Sequence, residues 1–238
     1  DIQRRGDARG ACDEDDDPMP SKKKKEIQIL SPEDFTVFCS HLNEIPIDQR
    51  VCFELALFGS LRRGEIMGIL EDEIPDDGRF YIQRTRYMHR IGNEFVKDTK
   101  TASGERLCIL PAPVIRDVKA LRKHHIEQKL KLGPLWTDSD YLIKEQNGEA
   151  FHPEQCAKRL SRYMERIGLE PITFHALRHT YASICISMGA DPAAVSKRMG
   201  HANVSTTLGI YTHLFEKKEE EDKLASALGE MLTKSVEK

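Results

Sequence analysis

Between Pro75 and Pro111 the chain changes its period, and that change constrains the fold more than any other feature. On either side of this window, apolar residues recur at helical spacing. Inside it, short apolar runs lie between the turn signals Pro75-Asp76-Asp77-Gly78, Gly92-Asn93 and Ala102-Ser103-Gly104. Phe80-Tyr81-Ile82, Glu94-Phe95-Val96 and Arg106-Leu107-Cys108-Ile109-Leu110 therefore read as three short strands. The fold class expected is α+β, mostly α-helical, with a small three-stranded antiparallel sheet inserted after the second or third helix.

Helix signals frame the insert. Ser31-Pro32-Glu33-Asp34 combines a hydroxyl N-cap, a proline in the first turn and carboxylates facing the positive end of the helix dipole. Phe35, Phe38, Cys39 and Leu42 follow at helical spacing, so a first helix begins there. A second is expected from about Ile47 through Phe58, with Val51, Leu55 and Phe58 inward. Gly59-Ser60 ends it, and a short helix carries Arg62 to Ile69. Beyond Pro111, helical patterns cover about 112–131, 154–167, 175–188, 192–199 and 204–213. A last stripe, Leu224, Leu228, Met231 and Leu232, belongs to a helical tail.

With 238 residues, 39% of them hydrophobic and 32% charged, the chain can bury a core in one domain. Residues 1–26 hold Asp13-Glu14-Asp15-Asp16-Asp17 and Lys22-Lys23-Lys24-Lys25, have almost nothing to bury, and read as a disordered charged linker or tail. No apolar run reaches the ~20 residues of a membrane span. Six scattered cysteines without a Cys-x-x-Cys pair read as reduced thiols of a cytoplasmic protein. The formal net charge of −3 gives no global sign of nucleic-acid binding. A phosphate site needs a local positive face, however, and acidic runs such as Glu219-Glu220-Glu221-Asp222 hide one in the sum.

The chemistry concentrates toward the C-terminus. Phe174-His175-Ala176-Leu177-Arg178-His179-Thr180 follows Pro171 and opens a helix, which puts His175, Arg178 and His179 on one side, one turn apart. An imidazole beside a guanidinium at a helix N-terminus makes an anion cradle, because dipole and donors converge there. Histidines at i and i+4 also suit a metal ion, but the zinc motif needs glutamate where Ala176 stands. Farther on, Gly200 ends a helix and places His201 in a turn. Ser205-Thr206-Thr207 supplies hydroxyls, and Tyr211 lies in the next helix. One phenol nucleophile, several fixed cations and no evident metal cage suit phosphodiester chemistry on a polyanion.

These boxes resemble those of the tyrosine recombinases, the phage-integrase family, in which His-x-x-Arg, Gly-His and a nucleophilic tyrosine follow in that order. The interval from His201 to Tyr211 is similar to that in integrases of phages and conjugative elements. Leu61-Arg62-Arg63-Gly64-Glu65 resembles the family's first arginine box, whose active arginine stands three positions before a glutamate, and this selects Arg62. Lys100-Thr101-Ala102-Ser103-Gly104-Glu105-Arg106 resembles the segment of the family's hairpin lysine, with Lys97 the weaker candidate nearby. The resemblance covers about residues 27–215 and implies the tyrosine-recombinase catalytic domain fold, without the N-terminal helical domain that the family's full proteins usually carry.

What the resemblance implies is a site-specific DNA recombinase of integrase or excisionase type, the kind of enzyme encoded by phages, transposons and other mobile genetic elements. Tyr211 would attack a scissile phosphate to give a 3′-phosphotyrosyl intermediate, with no metal, ATP or other cofactor. Arg62, Arg178 and His201 would stabilise charge on the nonbridging oxygens, His175 would take the phenol proton, and Lys100 would protonate the leaving 5′-oxygen. Glu65 would buttress the arginine as a structural ion pair. The partners implied are double-stranded DNA at recombination sites and three further copies of the chain, with the tail at 216–238 docking on a neighbouring protomer. Three rivals use overlapping residues: a type IB topoisomerase-like nicking-closing enzyme, a DNA-binding module without catalysis, and a histidine-based metallohydrolase.

Overall fold

A computed structural model of the chain describes residues 28–88, 94–98 and 106–200. At its centre is α2 (Ile47–Leu57), in which every residue from Val51 to Leu57 is buried. A segment reading Val-Cys-Phe-Glu-Leu-Ala-Leu has no wide polar face, so neighbours must cover it all round. They are α4 (Ala112–Leu132), α5 (Pro153–Arg166) and α6 (Phe174–Ser187). Phe53 lies 5.5 Å from the Tyr163 ring and 5.9 Å from Phe174, and Phe38 of α1 (Pro32–Ser40) meets Tyr163 edge-on at 5.1 Å. Such aromatic pairs add about 0.5–1.5 kcal/mol each beyond the area they bury. The expected cap of α1 is present, with Ser31 Oγ accepting from the Asp34 N–H at 3.0 Å.

Among the described residues the insert holds four strands in two ladders, where the sequence pattern predicts three in one sheet. β1 (Arg79–Ile82) pairs with β4 (Arg106–Ile109), and β2 (Arg84–Met88) pairs with β3 (Glu94–Asp98), both antiparallel. The strand missed is β2. Gln83 alone separates it from β1, so no turn signal announces it. Its inward residue is also charged: Arg86 is buried, donates to the Phe151 carbonyl at 2.8 Å and stacks 4.5 Å from the centre of the Tyr141 ring. A hydrophobic alternation cannot reveal a strand whose buried position is arginine. The α+β, mostly helical class stands as expected.

A short helix, α3 (Arg63–Gly68), lies directly on β2. The approach requires the two glycines one turn apart: a Cβ at Gly64 would stand 2.6 Å from Thr85 Cγ2, and one at Gly68 would stand 3.1 Å from the Arg84 carbonyl oxygen. After Pro111, the observed helices start and end within a residue or so of the expected ones. The last of them, α7 (Pro192–Met199), sits on α6 through a small separate cluster of Ala182, Ile186, Val195 and Met199. Among the described residues no helix is long and apolar enough to cross a membrane. The linker at 1–26, the helix expected at 204–213 and the tail at 216–238 lie outside the described residues.

Candidate active site

Two helix starts and one helix end converge at the site. Arg62 is the N-cap of α3, in extended conformation, with its side chain 40% exposed. Its backbone N–H donates to Glu65 Oε2 and its Nη1 to Glu65 Oε1, both at 2.8 Å. At the N-terminus of α6, Thr173 caps the helix by accepting from the Ala176 N–H at 3.1 Å. His175 then stands exposed in the first turn, and Arg178, fully buried, one turn behind it. The third element is the C-terminus of α7, where Gly200 adopts a left-handed conformation with φ 65°.

Three consecutive carbonyls at that helix end are each held by an arginine from elsewhere. Arg106 Nε donates to the Arg198 carbonyl at 2.9 Å, Arg178 Nη2 donates to that of Met199, and Arg62 Nη2 donates to that of Gly200 at 2.9 Å. Helix ends leave such carbonyls without intrahelical partners and carry partial negative charge, which favours cations there. Arg178 Nη1 also donates to the Ser60 carbonyl at 2.6 Å. The three guanidiniums are therefore fixed by backbone atoms, and Glu65 is the carboxylate bound to two of them.

Glu65 is 2% exposed. Burial pushes its carboxyl up, but hydrogen bonds and charge from Arg106, then Arg62, outweigh this and hold it below the usual carboxylate value. His175 moves down from its ordinary value of 6.5, first through partial desolvation where its ring packs against the protein and then through the positive charges of Arg178 and Arg62. This shift favours the neutral imidazole, the form able to accept a proton. In front of these groups is a cleft of about 550 Å³ lined by Arg62, Arg63, Ser161, Thr173, His175 and Arg178. Arg62, Arg63 and Arg178 line it beside the N-terminus of α6, which suits the cleft to an anion. A larger cleft of about 780 Å³ surrounds Trp136 on another part of the surface, but there Glu71 already accepts hydrogen bonds from His125 and Lys144.

Of the residues singled out from the sequence, Arg62, Glu65, His175 and Arg178 meet around this one cleft. Lys100, His201 and Tyr211 lie outside the described residues, and Lys97 is exposed on β3 opposite Thr85. His179 is buried behind His175, their rings edge to face at 4.4 Å. Sequence reasoning passed over Arg106 and Ser60. A signal for Arg106 did exist: it falls in phase with Cys108 and Leu110, the inward side of β4, and a charged residue in that phase requires a buried partner.

Residues 28–218 match the family model described as Phage integrase family, and the chain belongs to that family. It is 28% identical over 180 residues to a tyrosine recombinase XerC-like protein of Caldanaerobacter subterraneus subsp. tengcongensis, a match covering 71% of this chain and 46% of the relative. It is 23% identical over 215 residues to the ICEBs1 integrase of Bacillus subtilis, covering 90% of this chain and 57% of the relative. The chain thus spans about half the length of the curated relatives it matches. In architecture it is similar to the Tn1549 transposon integrase in complex with transposon right end DNA, with a TM-score of 0.70 at 19% identity over 83% of this chain and 66% of that one. The XerA recombinase gives a TM-score of 0.63, also at 19% identity, over 88% and 65%. These likenesses show a shared fold.

Proposed function

We propose that residues 27–215 form the catalytic domain of a site-specific DNA recombinase that cuts and rejoins DNA through Tyr211. The Tyr211 phenol oxygen bonds to a scissile phosphorus, the bond from phosphorus to the 5′-oxygen breaks, and a 3′-phosphotyrosyl link with a free 5′-hydroxyl results. A phenol with a pKa near ~10 needs a base, and His175, held neutral by its surroundings, takes that proton. Lys100 supplies one to the departing oxygen. Arg62, Arg178 and His201 bind the nonbridging oxygens, where charge accumulates in the transition state. The bond energy stored in the phosphotyrosine allows a second 5′-hydroxyl to religate without ATP or metal.

The observation that carries this reading is the meeting of Arg62, His175 and Arg178, from two distant motifs, at one cleft suited to an anion. Family membership and relatives named as tyrosine recombinases and integrases support it. The partners in this reading are duplex DNA and other copies of the chain, assembled as a tetramer on paired sites in the cytoplasm. Residues 1–26 serve as a charged linker and 216–238 as a tail that docks on a neighbour.

The test is to trap SDS-resistant protein–DNA adducts on a duplex library with the wild-type chain and with Tyr211→Phe. Adducts with wild type alone, at one recurring sequence, are expected. Adducts spread over unrelated sequences would point instead to a nicking-closing enzyme, and equal adducts with both chains would remove Tyr211 as the nucleophile.

A further inference from the structure

We propose that Arg106 is a positioning residue for DNA cleavage: by occupying both oxygens of Glu65 it leaves the Arg62 guanidinium turned toward the phosphate cleft. This rests on the recombinase reading above. Arg106 opens β4 and is 7% exposed. Its Nη1 donates to Glu65 Oε1 at 2.9 Å and its Nη2 to Glu65 Oε2 at 2.7 Å, a two-point grip. The same guanidinium reaches the Ser60 carbonyl at 3.4 Å and the Arg198 carbonyl at 2.9 Å. One side chain thereby joins β4, α3, the turn before α3 and the end of α7. The Arg62 side chain meets the shared carboxylate at one point, Nη1 on Oε1, while its Nη2 goes to the Gly200 carbonyl.

Glu65 cannot stand unmatched in a low-dielectric site, and two-point pairing with a guanidinium is its strongest arrangement. Arg106 supplies that arrangement. Remove it, and the nearest remaining guanidinium is that of Arg62, which then turns inward to satisfy both oxygens and leaves the cleft. A lysine cannot replace the arginine, because one ammonium is a point charge and cannot span Glu65, Ser60 and Arg198 together. Arg106 thus ties the start of β4 to the end of α7 beside the site.

The experiment uses the 238-residue chain with Arg106→Lys, Arg106→Met and the pair Glu65→Gln with Arg106→Met. Three quantities are measured: duplex affinity, single-turnover adduct formation on a nicked duplex carrying the sequence recovered with wild type, and the NMR titration of His175. Desolvation first, then the charges of Arg178 and Arg62, shift His175, so its titration is sensitive to the position of Arg62. Arg106→Lys should bind duplex within about threefold of wild type but form adduct ~10–100-fold more slowly, the scale of loss when a reacting group is displaced by about 1 Å. His175 should titrate at higher pH in the same variant. The paired variant removes both buried charges and so keeps the fold. It should form adduct faster than Arg106→Met alone, since no carboxylate draws Arg62 away. Wild-type adduct rates with an unchanged His175 titration would overturn the proposal, as would a paired variant that forms adduct no faster than Arg106→Met alone. If wild type itself forms no adduct on any duplex, the recombinase reading fails, and the His175 titration still decides whether Arg106 sets the position of Arg62.

Discussion

Ser60 is fully buried at φ 53°, the one non-glycine with positive φ among the described residues. That left-handed turn aims its carbonyl between two guanidiniums, Arg178 at 2.6 Å and Arg106 at 3.4 Å. Its hydroxyl is buried with no hydrogen-bond partner among the described residues. For an L-residue the left-handed region costs roughly 1–2 kcal/mol, and glycine is relieved of this. Ser60→Gly is therefore expected to leave the unfolding free energy unchanged or raise it by about 1 kcal/mol in urea titrations. Ser60→Val, branched at Cβ and in the same conformation, should lose about 2–3 kcal/mol. An equal loss from both variants would mean that the hydroxyl, and not the backbone turn, matters at this position.

The contact between α2 and α4 holds two buried acids, Glu54 and Asp117 at 6% and 7% exposure, with Arg50 Nε 3.4 Å from Asp117 Oδ2. Burial first, then the neighbouring Asp117, pushes the Glu54 carboxyl up from 4.5 to about 8. The sign follows from which state binds the proton. The folded chain holds it more tightly than the unfolded one, so this contribution to stability is complete below 4.5 and is lost as pH rises through about 8. Glu54→Gln keeps the shape and never ionises. It should melt close to wild type near pH ~5 and above it near pH ~9, where each 1 kcal/mol shows as about 2–4 °C. A difference in melting temperature that stays constant across pH would refute the shared burial of charge. At this scale the cap of α1 was legible, because Ser31 bonds the Asp34 N–H three residues away, while the caps Thr173 and Asp191 of α6 and α7 went unread. Strand β2 was not legible, because what its inward arginine needs comes from Phe151 and Tyr141.

At the scale of the molecule, the arginine cluster is also what seats the end of α7. Its apolar contact is a cluster of four buried side chains, and three arginine-to-carbonyl bonds complete the attachment. Arg62 and Arg178 therefore both line the cleft and hold the end of α7. The assembly proposal belongs at this scale too. Deleting residues 216–238 should leave adduct formation on a single duplex close to that of the full chain while weakening assembly on paired sites by about 100-fold, the order of an avidity contribution. Native gel shifts on one-site and two-site DNA would measure it, and unchanged two-site assembly would reject docking of the tail between protomers.

Much of this protein is written locally. Helix starts, the change of period between Pro75 and Pro111, and the order of the arginine, His-x-x-Arg and Gly-His boxes are read from neighbours a few positions apart, because caps, turns and periodicity act over that range. Arg62, Glu65, His175 and Arg178 were named from those boxes. Their electrostatic setting was not legible, since it depends on groups far away in the chain: Arg106 reaches Glu65 across 41 positions, and Arg62 reaches Gly200 across 138. A buried charge must be matched by whatever the fold brings near it, and sequence spacing says nothing about which group that will be. The sequence alone thus determined the elements and the candidate chemistry. The tertiary structure decided which carboxylate restrains which arginine, and which carbonyls hold the cations in place.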